Sequence, residues 1–301
     1  MIRRKFNLGI IGLSEGNGHP YSWSAIFNGY DKVQMEKCGF PVIPRYLEKE
    51  DFPNVCIKNA KVTHVWTQDK KISKHLSQTV FIENIVDKYT DMIGKVDGVL
   101  IARDDANNHI TFAMPFLKKG IPVFIDKPLA YSLKEAKKLL ALEKYEGQIF
   151  SCSAFKYAPE LDSLKKNLKE IGDLKLIKGS VPKNWKNYAI HVIDPIIELI
   201  PNLGIIRKRC LWEFDERNIL ILNFDNNLEI NIQSFGYLKT PLEIKLFGQK
   251  NSISCEFKDT FKSFRNSLNN FLRSIQDENY SIDKKLLLKS IEIVEAGIKY
   301  K

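Results

Sequence analysis

The residues of this 301-residue chain best suited to chemistry begin with the turn Gly9-Ile10-Ile11-Gly12-Leu13-Ser14-Glu15-Gly16-Asn17-Gly18-His19. It follows an apolar strand, Phe6 to Ile11, and precedes a short helix-like segment, Tyr21 to Tyr30. Strand, glycine-rich turn and helix bring free backbone N–H groups to a diphosphate. Gly12, Gly16 and Gly18 let the backbone approach phosphate; Ser14 and Asn17 are candidate side-chain donors, and Glu15 must point outward. The spacing departs from GxGxxG, so a plain structural turn stays open as a reading. A second candidate is Lys127, which ends the apolar run Ile121 to Ile125 in Asp126-Lys127-Pro128. Open parallel sheets bind ligands at the C-terminal ends of their strands. A lysine there can hydrogen-bond a substrate hydroxyl, and a nearby oxidised nicotinamide would lower its pKa and ease proton exchange. The Lys127–Pro128 bond is a candidate cis peptide.

The acid that grips the adenosine ribose normally stands about 20 residues after the loop, at the tip of the second strand. Here Val62 to Trp66 runs into Thr67-Gln68-Asp69-Lys70-Lys71, displaced by an irregular insertion between Tyr30 and Ile57. Asp69 can reach an NAD ribose, whereas Thr67 and Lys70 suit the 2′-phosphate of NADP, so both cofactors stay open. Equally, Asp69 and the lysines can open the next helix on its solvent face.

The elements that must position these residues alternate. Lys61 to Trp66 and Val96 to Ala102 read as strands, Ile82 to Ile93 as a helix, and His109 to Lys119 as a helix kinked at Pro115. Such alternation with short connections means a parallel sheet. Ser132 and Glu135 make a capping box for a helix ending before Gly147. Gln148 to Phe155 reads as a strand and Pro159 to Gly172 as a helix. Consecutive strands follow at Cys210 to Phe214, Ile219 to Phe224, Leu228 to Phe235 and Leu242 to Phe247, then helices at Thr260 to Gln276 and Ile282 to Tyr300. The pattern predicts an α/β fold. An N-terminal Rossmann parallel-sheet domain, residues 1–128, precedes an α+β domain, 129–301, with a mostly antiparallel sheet.

Val96 to Ala102 through His109, and Gly120 to Ala130, resemble the glucose–fructose oxidoreductase / inositol dehydrogenase (Gfo/Idh/MocA) family. Its pattern is VDxVxIATP…H followed by GKHVxxEKPxA, and Asp126-Lys127-Pro128 stands where the family has Glu-Lys-Pro. The resemblance implies an NAD(P)-dependent oxidoreductase interconverting a secondary alcohol and a ketone on a sugar, cyclitol or nucleotide-sugar. It implies that Ala102, His109 and Asp126 line the cofactor and that Lys127 is catalytic or positions substrate. In Asn187-Tyr188-Ala189-Ile190-His191-Val192-Ile193-Asp194-Pro195 it makes His191 the general base. Asn187 replaces the family's acid four residues upstream; an amide on the same helix face can orient substrate but cannot take a proton. Tyr188, Lys156 and Asp194 are implied substrate contacts, although Asp194 before Pro195 also reads as a helix cap. The ammonium of Lys127 and the imidazole of His191 are then expected to flank one nicotinamide. Because of Asn187 and the altered loop, a non-catalytic cofactor- or sugar-sensing protein is the alternative; a glycosidase using transient NAD-dependent oxidation is a third.

Composition narrows the classes. The five cysteines, Cys38, Cys56, Cys152, Cys210 and Cys255, are scattered without a CxxC pair, which argues against a metal or disulfide framework and for reduced thiols in the cytoplasm. No apolar run is long enough to span a membrane. The basic opening Met1 to Phe6 lacks a signal-like apolar stretch. The net charge of +10 is spread over solvent-facing lysines, which argues against nucleic acid while leaving phosphate-bearing substrates open. The open antiparallel sheet suggests a homo-oligomer, dimer or tetramer.

Overall fold

The structure, a computed structural model, describes residues 5–277 and 280–298. Met1 to Arg4 and Tyr300, part of the basic opening and the expected end of the last helix, lie outside the described residues. The chain divides into two units. The first comprises residues up to Leu129 with Lys137–Ser151 and Ser267–Ile282; the second comprises Ala130–Ala136, Cys152–Asn266 and Asp283 onward.

The first unit is built on six parallel strands: β1 (Phe6–Ile11), β2 (Ala60–Trp66), β3 (Asn84–Ile85), β4 (Gly98–Ile101), β5 (Val123–Ile125) and β6 (Ile149–Phe150). Their order, β3-β2-β1-β4-β5-β6, reverses direction between β1 and β4. That reversal opens a crevice beyond the C-terminal strand ends. Leu8 to Ile11 of β1 and the apolar runs of β4 and β5 are buried, as expected for a sheet covered on both faces. The interconnecting helices are α1 (His19–Asn28), α2 (Lys32–Met35), α3 (Val42–Leu47), α4 (Lys70–Thr79), α5 (His109–Leu117) and α6 (Leu133–Leu140). Trp23 of α1 stacks on Phe124, whose ring also meets Phe150 and Phe271. These interlocked rings form the core beneath the strand tips.

Two expectations fail in this half. The insertion is not irregular throughout: it carries α2 and α3. A Cβ at Gly18 would lie 2.5 Å from Ile43 Cδ1 and 2.7 Å from Phe40 Cγ, so glycine there lets the insertion close over the start of α1. Nor is Ile82 to Ile93 a helix. The helix is α4, capped by Asp69, whose carboxylate accepts the Lys71 N–H. Its buried face is Ser73, Leu76 and Thr79, too polar to stand out in sequence. Asn84–Ile85 instead pairs in parallel with His64–Val65, and Asn84 Nδ2 donates to the Thr63 carbonyl, so those residues extend the sheet. Pro115 does lie inside α5.

The second unit holds α7 (Pro159–Asn167), β7 (Leu174–Val181), α8 (Trp185–Tyr188) and α9 (Ile190–Leu199). Strands β8 (Ile206–Phe214), β9 (Arg217–Phe224), β10 (Glu229–Ser234), β11 (Glu243–Gly248) and β12 (Ser252–Glu256) follow. Helix α10 (Thr260–Gln276), whose residues from Ser267 on belong to the first unit, and α11 (Lys284–Ala296) complete the description. The sheet order is β12-β11-β7-β10-β9-β8, antiparallel except for β7 beside β10. Sequence reading omitted β7 and β12. In β7, lysines fill outward positions and Gly179 an inward one, which hides the alternation. The expected strand Gln148 to Phe155 is only Ile149–Phe150, because Ser153 caps a 3₁₀ turn at Ala154–Tyr157. Helix α9 buries Ile190, Val192, Ile193, Ile196 and Ile197 in the core shared with β7, β9 and β10.

Among the described residues no helix is long and apolar enough to cross a membrane. No group of three His, Cys, Asp or Glu is placed to hold a metal ion, again among the described residues.

Candidate active site

At the end of β1 the chain turns through residues 12–18 before α1 begins. Gly16 takes φ +71, a conformation that favours glycine, and no atom lies within 4 Å of where its Cβ would be. Glu15 and Gly16 are exposed. Among the described residues, the N–H groups of Ser14, Glu15 and Gly16 donate to no acceptor in the chain. Three successive unpaired amides in an open turn form an anion cradle, so the turn fits a dinucleotide's diphosphate. The Ser14 and Asn17 side chains, expected as phosphate donors, are held by carboxylates instead. Ser14 Oγ donates to Asp104 at 2.6 Å, and Asn17 Nδ2 donates to Asp126 at 2.8 Å.

The tips of β2 and β4 clamp this turn. Gln68 exchanges two hydrogen bonds with the Leu13 backbone, at 3.0 and 2.7 Å. Arg103 donates to the Leu13 carbonyl and to Gln68 while its guanidinium grips Asp105 through two nitrogens. The guanidinium lies over the Phe112 ring, which packs with Trp66 and Tyr89. Thr67 is buried with its hydroxyl bonded to Ser73 and the Asp69 carbonyl. Asp69 is exposed as the α4 cap, and exposed Lys70 pairs with Asp87. Ala102 is fully buried and donates its N–H to Ile11.

The tip of β5 brings the next group. Asp126 is 1% exposed and faces His19 Nδ1 and Asn17 through one oxygen, while its other oxygen accepts the Lys127 N–H at 2.7 Å. Burial alone would push this carboxyl up. The charges of His19 and Lys127, with hydrogen bonds from His19 and Asn17, instead hold it well below the ordinary carboxylate range. Lys127 is 5% exposed, and its Nζ lies 3.5 Å from Asp104, the residue that accepts from Ser14. The Lys127–Pro128 peptide is cis. His109 is buried, its ring bridging the carbonyls of Arg103 and Leu129. The tips of adjacent β1, β4 and β5 are thus joined as Ser14–Asp104–Lys127.

In the second unit, Asn187 lies in α8 and His191 in the first turn of α9, four residues apart. Tyr131 donates its hydroxyl to Asn187 Oδ1 at 3.0 Å. His191 is 8% exposed; its Nδ1 lies 2.8 Å from Ser153 Oγ, and the rings of Phe155 and Tyr188 approach it edge-on at 5.3 and 5.2 Å. Lys183 contacts the Tyr188 hydroxyl and sits over its ring. Asp194 is not a helix cap. Ala189 holds that position, and α9 continues through Asp194 with Pro195 inside it, because α8 already carries the chain into helical conformation at residue 189. The buried Asp194 carboxylate accepts the Ser153 N–H at 2.6 Å. Burial pushes its pKa up against the opposing pull of that bond, Ser290 and Lys156. Lys156 is paired with Glu198 at 3.3 Å; burial works against its charge, but Asp194 and Glu198 hold its pKa above the ordinary value.

Residues 6–153 match a family model, GFO_IDH_MocA, described as an oxidoreductase family with an NAD-binding Rossmann fold. Residues 6–153 are thus similar to the Gfo/Idh/MocA family. None of the curated protein sequences matches the chain. Among solved structures, apo scyllo-inositol dehydrogenase from Lactobacillus casei aligns with a TM-score of 0.75 at 13% identity, covering 98% of this chain and 96% of that one. The same enzyme with bound NAD(H) and scyllo-inositol aligns at 0.71, with 13% identity and 98% and 96% coverage. Biliverdin reductase from Synechocystis sp. PCC 6803, solved with biliverdin and NADP+, aligns at 0.68 with 14% identity, covering 96% and 97%. At such identities the likeness carries the fold alone.

Within this Gfo/Idh/MocA-like domain the cofactor is NAD or NADP, and the open amide cradle at residues 14–16 is suited to it. Among the residues around the site that went unremarked in sequence are His19, Gln68, Arg103 and Ser153. Arg103 had a signal, since Ala102-Arg103-Asp104 puts two charges where the family pattern runs Ala-Thr-Pro. The other three carry no spacing signature, because each reaches its partner through the fold.

Proposed function

We propose that this protein is an NAD(P)-dependent oxidoreductase interconverting a secondary alcohol and a ketone on a sugar, cyclitol or nucleotide-sugar. The observation that carries the reading is Lys127. Its ammonium is buried at the tip of β5, linked through Asp104 to the phosphate-binding turn and held beside a carboxylate kept ionised. The amides of residues 14–16 would hold the diphosphate of a bound dinucleotide, whose nicotinamide would supply the hydride acceptor or donor, and Asp126 fixes the turn through Asn17 and His19. Lys127 donates a hydrogen bond to the reacting oxygen, and His191 takes the alcohol proton or gives it back. Asn187 orients substrate, and Tyr188 offers a ring edge to a sugar-like ligand. Lys156 and Asp194 brace the His191 helix rather than reach substrate. The choice of sugar or cyclitol draws on the scyllo-inositol dehydrogenase of like fold.

The test begins with mass spectrometry of co-purifying nucleotide and fluorescence titration with NADH and NADPH. A panel of cyclitols, sugars, nucleotide-sugars and biliverdin then follows absorbance at the nicotinamide band. We expect saturable dinucleotide binding and turnover of a polyol. Tight binding without hydride exchange across the panel would favour the sensing alternative, for which the Tyr131-bound amide of Asn187 in place of an acid is the supporting observation.

We also propose a homo-oligomer through the open sheet of the second unit, where Trp212 and Phe214 on edge strand β8 are 53% and 69% exposed. Sedimentation at micromolar concentration is expected to give a dimer or tetramer; a monomer alone rejects this assembly.

A further inference from the structure

We infer that Ser153 is the positioning residue for His191, taking over the orienting task that a carboxylate would otherwise perform. The inference rests on the role proposed for His191 and adds the group that sets its ring. A working imidazole needs a partner on one nitrogen to fix its tautomer and plane, so that the other nitrogen is presented in a defined state. By spacing alone, two acidic or amide neighbours in sequence suit the task, four residues before and three after. Geometry removes both from that task. The Asn187 amide oxygen receives the Tyr131 hydroxyl, and the Asp194 carboxylate receives the Ser153 N–H. The group on His191 Nδ1 is the Ser153 hydroxyl, at 2.8 Å.

Ser153 is itself firmly placed. It is fully buried and heads the 3₁₀ turn Ala154–Tyr157. Its N–H is tied to Asp194, and its hydroxyl oxygen accepts the Phe155 N–H at 3.3 Å. With one lone pair taken by that amide, the other can accept Nδ1–H, which leaves Nε2 unprotonated and able to take a proton. A neutral hydroxyl differs in kind from a carboxylate: it can donate as well as accept, and it places no negative charge beside the ring. Asp194 thus bears on His191 through Ser153, and the edges of Phe155 and Tyr188 pack against the ring.

The experiment uses the full chain labelled with 15N-histidine, the His191 ring signals being identified by their loss in His191→Gln. Ser153→Ala removes the hydroxyl; Ser153→Cys removes most of its hydrogen bonding at nearly constant volume, and Ser153→Thr retains it. Alanine and cysteine are expected to shift the His191 ring nitrogens, and threonine to restore them. In turnover, alanine should lower kcat roughly 10–100-fold, the loss seen when partners orienting metal-bound imidazoles are removed. NADH affinity should stay within about twofold, since no cradle residue is touched. Unchanged His191 signals in folded Ser153→Ala and Ser153→Cys proteins overturn the inference. If the ring signals move while the wild type turns over nothing on the panel, Ser153 keeps its positioning role and the oxidoreductase reading falls instead.

Discussion

Lys127→Met is expected to lower kcat by about 10²–10³-fold, the usual cost of removing one preorganised donor to the reacting oxygen. Methionine keeps an unbranched stem of similar length and removes the ammonium, so packing around this 5%-exposed side chain is largely conserved. The cradle amides belong to residues 14–16 and are left intact, and NADH affinity should stay within a few-fold by fluorescence titration. The split between turnover and cofactor affinity is the diagnostic. If Lys127 only braced the sheet tips, its loss would loosen the Ser14–Asp104 link, and cofactor affinity would fall in step with turnover. Lys127→Arg is not expected to rescue, because a planar guanidinium presents its donors in a fixed fork where a compact ammonium sat. Full turnover in Lys127→Met would remove Lys127 from the chemistry.

Sequence patterning made the parallel half readable because its central strands are buried on both faces and announce themselves as apolar runs. Val99 to Ile101 and Val123 to Ile125 could hardly be anything else. The reading faltered where a face is small or polar. Helix α4 packs on Ser73 and Thr79, and β7 hides its inward face behind Gly179. Conversely, apolar residues at helical spacing between Ile82 and Ile93 misled, since a two-residue edge strand followed by a 3₁₀ turn uses them without any helix. The site divides along the same line. Lys127 and the glycine turn stand at strand tips, which a βαβ pattern locates. Ser153 reaches His191, and His19 reaches Asp126, across 38 and 107 residues of sequence, where no periodicity operates. Asp194 shows the limit of local rules: Asp-Pro is good cap chemistry, yet tertiary burial of its neighbours Ile193 and Ile196 carries the helix through it.

Asp126→Ala is expected to destabilise the protein by roughly 3–5 kcal/mol, the usual penalty for stripping one partner from a buried charge cluster. His19, Asn17 and the Lys127 N–H would all lose their acceptor at once. A loss of 3 kcal/mol corresponds to a drop in Tm of roughly 6–12 °C for a chain of this class. Asp126→Asn should cost less, because an amide oxygen can still accept while its NH2 faces donors. The pH dependence carries a definite sign. The folded state holds this carboxyl below its unfolded value of about 3.9. The unfolded chain therefore binds the proton first as pH falls. The stabilisation is complete well above pH 4 and is lost as pH falls through that value towards the folded pKa. The Tm gap between wild type and Asp126→Asn should accordingly be widest near neutrality and narrow below about pH 4. Asp194 supplies a control of opposite sign. Its folded pKa is raised, so its contribution to stability declines as pH rises from about 4 through the folded value, and Asp194→Asn should flatten that decline. Calorimetry of the three proteins between pH 3 and pH 8 measures both slopes. A wild-type-to-Asp126→Asn gap that grows on acidification would mean Asp126 is not the charged anchor of the phosphate turn.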